Sequence, residues 1–178
     1  GAANPDIKLA DLLSIKDYIE TTSSGILYGL LKLPHEFIIT QSFAFVDRQS
    51  ALTKIKDTKR KMQAGEDGAQ SLEDALEIAI DHTASGISAF GEHHLSVCIS
   101  APNLSQLDRA VAESLSAFTP YGIIAVREDL NMEPAFWAQL PGNFSYIARR
   151  ALISSQNFAG FASLHNFPCG QKNNNQWG

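Results

Sequence analysis

The sequence predicts a mixed α/β domain: a ferredoxin-like, split βαβ sheet with a helical hairpin inserted at its middle and a helical and linker extension at its C-terminal end. Three observations predict it. Segments of period-two alternation and of helical period succeed one another as β-α-β, then α-α, then β-α-β. The two βαβ halves frame a pair of helices, the first charged nearly all round. Past Asp129 that periodic writing gives way to a run mixing aromatics, Pro and Gly. The division is therefore an α/β domain over residues 1–130, with the hairpin at about 47–87, and an extension over residues 131–178. Helices on one face and right-handed crossovers go with this topology. An open α/β sheet of another strand order is the alternative.

Each element has its own signal. Ile7 to Ile19 reads as a strand, with Ile7, Leu9, Leu13 and Ile15 on one parity and Lys8, Ser14 and Lys16 on the other. Thr21 to Ser24 offer N-caps to a helix carrying Ile26, Leu27, Leu30 and Leu31, which Pro34 ends. Glu36 to Val46 is a second strand, with Phe37, Ile39, Phe43 and Phe45 on one face. Arg48 to Ala64 is a charged helix with a thin stripe of Leu52, Ile55 and Met62, broken at Gly65 to Gly68. Ser71 and Asp74 form a capping-box pattern ahead of Leu72, Leu76, Ala79, Ile80, Thr83 and Ile87.

The second half repeats the grammar. His93 to Ser100 alternates, with Leu95, Val97 and Ile99 inward and Cys98 on the other parity, packed as a small hydrophobe. Asn103 caps a helix with the stripe Leu104, Leu107, Val111, Leu115 and Phe118. Pro120 to Gly122 turns the chain into a strand over Ile123 to Arg127. Beyond lie a short helix from Met132 to Leu140, stopped by Pro141-Gly142, and a helical turn or two between Asn157 and Leu164.

Composition bounds the function. At 178 residues, 44% hydrophobic and 19% charged, the chain is globular material. A net charge of −5 argues against a surface built for nucleic-acid phosphates. No apolar run approaches the roughly 20 residues of a membrane span. Two cysteines, Cys98 and Cys169, point to a reducing compartment rather than a disulfide scaffold. The polar close at Asn173 to Gly178 makes the chain read as a piece of something longer.

The chemistry tests come back largely empty. There is no phosphate-binding Gly-x4-Gly-Lys-Ser/Thr loop, the nearest string being Cys169-Gly170-Gln171-Lys172, and no Gly-x-Gly pair. His93 and His94 are neighbours on a strand and point to opposite faces, so they cannot share an ion, and His165 with Cys169 lacks a second ligand pair. There is no nucleophile elbow. Glu92, Glu128 and Asp129 are the available acid/base carboxylates, expected to be solvated at strand ends. The basic run Lys54, Lys56, Lys59, Arg60 and Lys61 scatters around its helix as a solvated face does, with docking to an acidic partner or an anionic membrane surface as the other reading.

The run Phe136 to Phe144 is read as a hydrophobic plug in which Phe136, Trp137 and Leu140 bury against the sheet; full burial would make Trp137→Ala cost about 3–5 kcal/mol. An aromatic cage for a ligand is the alternative. The candidate interaction or structural residues are Phe136, Trp137, Gln139, Pro141 and Asn143, with Lys56, Lys59 and Arg60 of the basic run. Catalytic, cofactor-binding and metal sites are expected to be absent.

Ala135 to Phe144, Ile153 to Ala159, His165 to Gly170 and Trp177-Gly178 resemble the CagE/TrbE/VirB family, as do Leu33 to Phe37, Thr40 to Phe43 and Val126 to Leu130 upstream. The likeness runs from about Leu13 to the end. It implies the N-terminal domain of a type IV secretion or conjugal transfer ATPase, placed before a motor domain that carries the phosphate loop and uses ATP and magnesium. It further implies a non-catalytic assembly and docking role, at the cytoplasmic face of the bacterial inner membrane. Partners would be other secretion subunits, with homo-oligomers of the full-length protein and peripheral membrane association; nucleic acid is not expected. A small stand-alone hydrolase, or a nucleic-acid module using Lys54 to Lys61, are the alternatives from other classes.

Overall fold

A computed structural model describes residues 7–64 and 70–162. The elements are β1 (Leu9–Asp17), α1 (Tyr28–Leu31), β2 (Glu36–Val46), α2 (Arg48–Ala64), α3 (Gln70–Ser85), β3 (Phe90–Ala101), α4 (Leu104–Phe118), β4 (Ile124–Arg127), α5 (Met132–Trp137), β5 (Ala151–Ser154) and α6 (Ser155–Gly160). The sheet order is β2-β3-β1-β4, with every neighbour antiparallel. Because β1 and β2 both run against β3, they are parallel to each other with β3 between them. That is the split βαβ arrangement, and β3-α4-β4 repeats it around β1.

The hydrophobic core lies between the sheet and α1 and α4. Leu13 and Ile15 of β1 and Leu95, Val97 and Ile99 of β3 meet Leu30 of α1 and Leu107, Val111 and Phe118 of α4. Asn103 starts α4 by accepting a hydrogen bond from the Gln106 amide at 3.0 Å. Gly122 ends the following turn at φ +73°, a left-handed position that glycine fills without strain.

Several sequence expectations need correction. α1 is a single turn starting after Leu27, with no side-chain cap. Thr22, an expected cap residue, instead donates its hydroxyl to the Asn157 carbonyl at 2.6 Å, so a tertiary contact replaces the local one. Leu104 and Ile87 are exposed: one opens its helix, the other lies past the end of α3. α5 stops at Trp137 rather than Leu140. The expected capping box meets a helix that already begins at Gln70. The hairpin break at residues 65–68 and the candidates His165, Cys169 and Lys172 lie outside the described residues.

The largest difference is β5, a strand the sequence pattern did not announce. Residues Ala151–Ser154 pair antiparallel with Phe90–His93 of β3. β2 occupies the whole opposite side of β3, so β5 and β1 share one edge of it in succession. α6 then returns to the core side. Phe158 stacks on Phe43 at 4.3 Å between centroids, and Phe161 is buried against Tyr18 and His93. Gly160 allows this closeness, since a Cβ there would lie 2.6 Å from the Cβ of Thr22. Gly160→Ala is accordingly expected to lower stability by about 1–3 kcal/mol, measured by urea denaturation.

Candidate interaction surface

Short helices are held by what they pack against, and α5 packs in an unusual sense. Ala135 of α5 and Ala138 just past its end are buried, with α5 set against β1 of the sheet, while the large side chains of this stretch face solvent. Phe136, Trp137 and Leu140 are 47%, 42% and 47% exposed, with the two rings edge to face at 5.4 Å. The plug reading is therefore corrected. Alanines on the inner face let the helix lie close to the sheet, and that leaves the aromatics no interior to enter. Trp137→Ala is expected to cost about 1 kcal/mol of stability, because only part of the ring leaves water on folding.

Pro141 and Gly142 shape the end of this surface. The Asn143 amide donates to the Leu140 carbonyl at 3.2 Å, and Gly142 has φ +91°. Pro at the second position and a positive-φ Gly at the third define a type II turn. Asn143 closes it by donating its side-chain amide to the Trp137 carbonyl at 3.0 Å. The turn brings the exposed rings of Phe144 and Tyr146 after those of Phe136 and Trp137.

The sheet face beneath is polar. Ser14 and Ser96 are buried directly opposite each other, His94 lies two residues along, and the Cys98 sulfur accepts a hydrogen bond from the Gln139 side chain. Burial pushes the Cys98 thiol pKa up, and the Gln139 contact acts against it. Glu128 is only 2% exposed and takes Arg149 Nε at 2.6 Å and Nη2 at 3.5 Å. The solvated strand-end carboxylate expected there is thus a buried ion pair. His94 Nδ1 lies 2.9 Å from the Arg149 carbonyl, and burial lowers its pKa despite that contact and the nearby Glu128 charge. Arg150 donates to the Phe144 carbonyl at 2.6 Å and pairs with Glu92 at 3.4 Å, while Lys54 of α2 reaches the same carboxylate at 2.7 Å. Hairpin, sheet and aromatic segment therefore meet at Glu92. This holds the Glu92 carboxyl below its ordinary pKa, chiefly through Lys54.

The basic run is largely committed within the chain. Lys59 pairs with Glu77 and Arg60 with Asp57, whereas Lys56 and Lys61 are exposed and make no ion pair among the described residues. His93 and His94 do face opposite sides, one among the rings of Tyr18, Phe158 and Phe161, the other toward Arg149. Among the described residues no group of three or more His, Cys, Asp or Glu side chains is placed to hold a metal, and no helix is long and apolar enough to cross a membrane. Of the sequence-stated residues, Phe136, Trp137, Gln139, Pro141 and Asn143 come together here, apart from Lys56, Lys59 and Arg60 on α2. Arg149 and Arg150 were missed as fasteners; a lone Arg pair before a short apolar run carries no signal of its buried partners.

Comparison with known proteins follows the same region. Residues 3–149 match a family described as "CagE, TrbE, VirB family, component of type IV transporter system". The type IV secretion system protein virB4 of Bartonella henselae is 39% identical over 171 residues, covering 96% of this chain and 22% of that protein. Protein virB4 of Agrobacterium tumefaciens is 36% identical over 173 residues, 97% of this chain and 22% of its own length. Type IV secretion system protein PtlC of Bordetella pertussis is 34% identical over 171 residues, 96% of this chain and 21% of its own. The chain thus spans about a fifth of the curated relatives it matches.

Proposed function

The chain belongs to the CagE, TrbE, VirB family of type IV transporter components, and from that premise we propose that it is a non-catalytic docking domain whose α5 surface engages another subunit of the secretion machinery. The parent protein would hydrolyse ATP with magnesium in a motor domain elsewhere in its length, at the cytoplasmic face of the inner membrane. One observation carries the docking reading: α5 and the residues just past it bury Ala135 and Ala138 and present Phe136, Trp137 and Leu140 outward. Aromatic anchors on a short helix, rigidly backed by a sheet, suit insertion into an apolar groove on a partner. The type II turn and the Asn143 bond to Trp137 hold the anchors in place before binding, which lowers the ordering cost of association.

The test is binding of the 178-residue protein to purified type IV secretion subunits. Trp137→Ser and Phe136→Ser should each weaken the cognate contact by about tenfold or more, with little change in melting temperature. Unchanged affinity in both variants refutes the surface assignment. ATP turnover by the 178-residue protein that disappears in Lys172→Ala refutes the non-catalytic reading.

A further inference from the structure

The core face of the sheet is sealed by aliphatic and aromatic side chains, but its outer face is closed differently. Residues 139–150 cross it from Cys98, whose sulfur accepts from the Gln139 side chain, to His94, whose Nδ1 lies 2.9 Å from the Arg149 carbonyl. Ser96 stands between those two positions on the same face of β3, and Ser14 of β1 lies directly across from it. Ser14, Ser96 and His94 are buried, yet Ser14 Oγ, Ser96 Oγ and His94 Nε2 have no hydrogen-bond partner. The covering segment brings little apolar surface, since no residue from 139 to 150 is buried. Its backbone bonds close on themselves, from Asn143 to Leu140, Tyr146 to Asn143 and Ile147 to Phe144. Its hold on the sheet rests on polar groups, above all Arg149 on Glu128, with Arg150 on Glu92. The flanks are unlike this: Ala135 and Ala138 are buried just before the segment, and Ile153 of β5 just after it.

We propose that residues 139–150 form a strap that lifts from the sheet and returns while the rest of the domain stays folded, with Ala138 and Ile153 as its fixed ends. Closing the strap orders a stretch of chain, takes the Glu128 charge out of water and leaves three polar atoms without partners. Each of these opposes the closed form. Against them stand one buried ion pair and a few polar contacts. Lifting returns Ser14, Ser96, His94 and Glu128 to water, and it leaves untouched the apolar core between the sheet, α1 and α4. The strap therefore opens at a lower free energy than the whole domain unfolds. Phe144 and Tyr146 ride on it, and Asn143 ties it to the Trp137 carbonyl, so the outward aromatic surface is complete only in the closed form. The strap does not depend on the docking reading, and no partner enters its test.

Thiol exchange on the native 178-residue protein, in a background of Cys98→Ser and Cys169→Ser, measures the opening. Ser14→Cys places a thiol under the strap, and Ser114→Cys places the same group on the core side in α4, both at buried positions. In dilute urea the Ser14→Cys thiol should react with dithionitrobenzoic acid about tenfold or more faster than the Ser114→Cys thiol. Its rate should hardly change with urea, because lifting the strap exposes little surface, whereas the core thiol waits for global unfolding. Adding Arg149→Ala should speed the reaction under the strap about tenfold or more. Adding Ser96→Ala, which removes one partnerless hydroxyl from the closed form, should slow it about fivefold. Ser96→Cys is a second reporter under the same cover, and circular dichroism checks the fold of each variant. Equal rates at the strap and core positions, an equally steep urea dependence at both, or a rate under the strap indifferent to Arg149→Ala overturns the proposal.

Discussion

Arg149→Ala is expected to destabilise the domain by about 3–5 kcal/mol, because it leaves the Glu128 carboxylate buried without its cation. The effect is large because little else covers that part of the sheet favourably. The face under the C-terminal segment presents Ser14, Ser96 and His94 beside Leu12, so apolar burial contributes less there than on the core face. The same change removes the side chain that precedes Arg150, and the loss should loosen the segment carrying Phe144 and Tyr146 before it melts the core. Urea denaturation gives the total, and hydrogen exchange should show amides of residues 144–154 losing protection first. Replacing both partners, as Glu128→Leu with Arg149→Met, should recover most of the stability, since desolvation of the charge is then removed along with the pair. A single Arg149→Ala that melts like the parent would show that the carboxylate finds water or another donor.

Acid should destabilise the protein through His93. Its imidazole is fully buried among Tyr18, Phe158 and Phe161, and burial lowers its pKa from 6.5 to about 4, with the neighbouring His94 adding to the shift. The unfolded chain therefore takes up a proton near pH 6.5 that the folded protein refuses until about pH 4. The stability due to neutral His93 is whole above pH 6.5 and is lost as the pH falls toward 4, reaching about 3 kcal/mol. Burial of His94 acts in the same direction. Lowered carboxyl pKa values at Glu36, Glu92 and Glu113 add their own loss, but below their ordinary value of 4.5. His93→Phe, which can keep the aromatic packing, should flatten the stability curve between pH 6.5 and 4.5. An identical slope in parent and variant would remove His93 from the account.

Periodicity was readable where one face of an element is buried and the other is wet. β2 and α4 are the clear cases, with β2 bounded by Glu36 and Val46 as its alternation predicts and α4 opened by the Asn103 cap. β1 was legible as a strand but not as a two-sided one. Leu12 and Ser14, on the parity expected to face solvent, are buried because the C-terminal segment covers the second face. No local pattern in β1 can report a chain segment that arrives more than a hundred positions later. The same reason hid β5, whose four residues become a strand only because β3 extends past the end of its pairing with β1 and offers an unfilled edge.

What the amino-acid order determined by itself was the succession of elements through β4, the split βαβ topology it implies, and the family, carried by the mixed run around Phe136 to Phe144 and matched across residues 3–149. Those depend on side-chain period, caps and turn residues, all of which act within a few positions of one another. Tertiary structure alone decided which way α5 faces. Its sequence has aromatics and alanines on different sides, and hydrophobicity favours burying the aromatics. The close approach to a polar sheet face, fastened by Arg149 on Glu128 and by β5, admits only the alanines. A run that reads as a plug becomes an outward surface because the space available to it is set by residues distant in the chain.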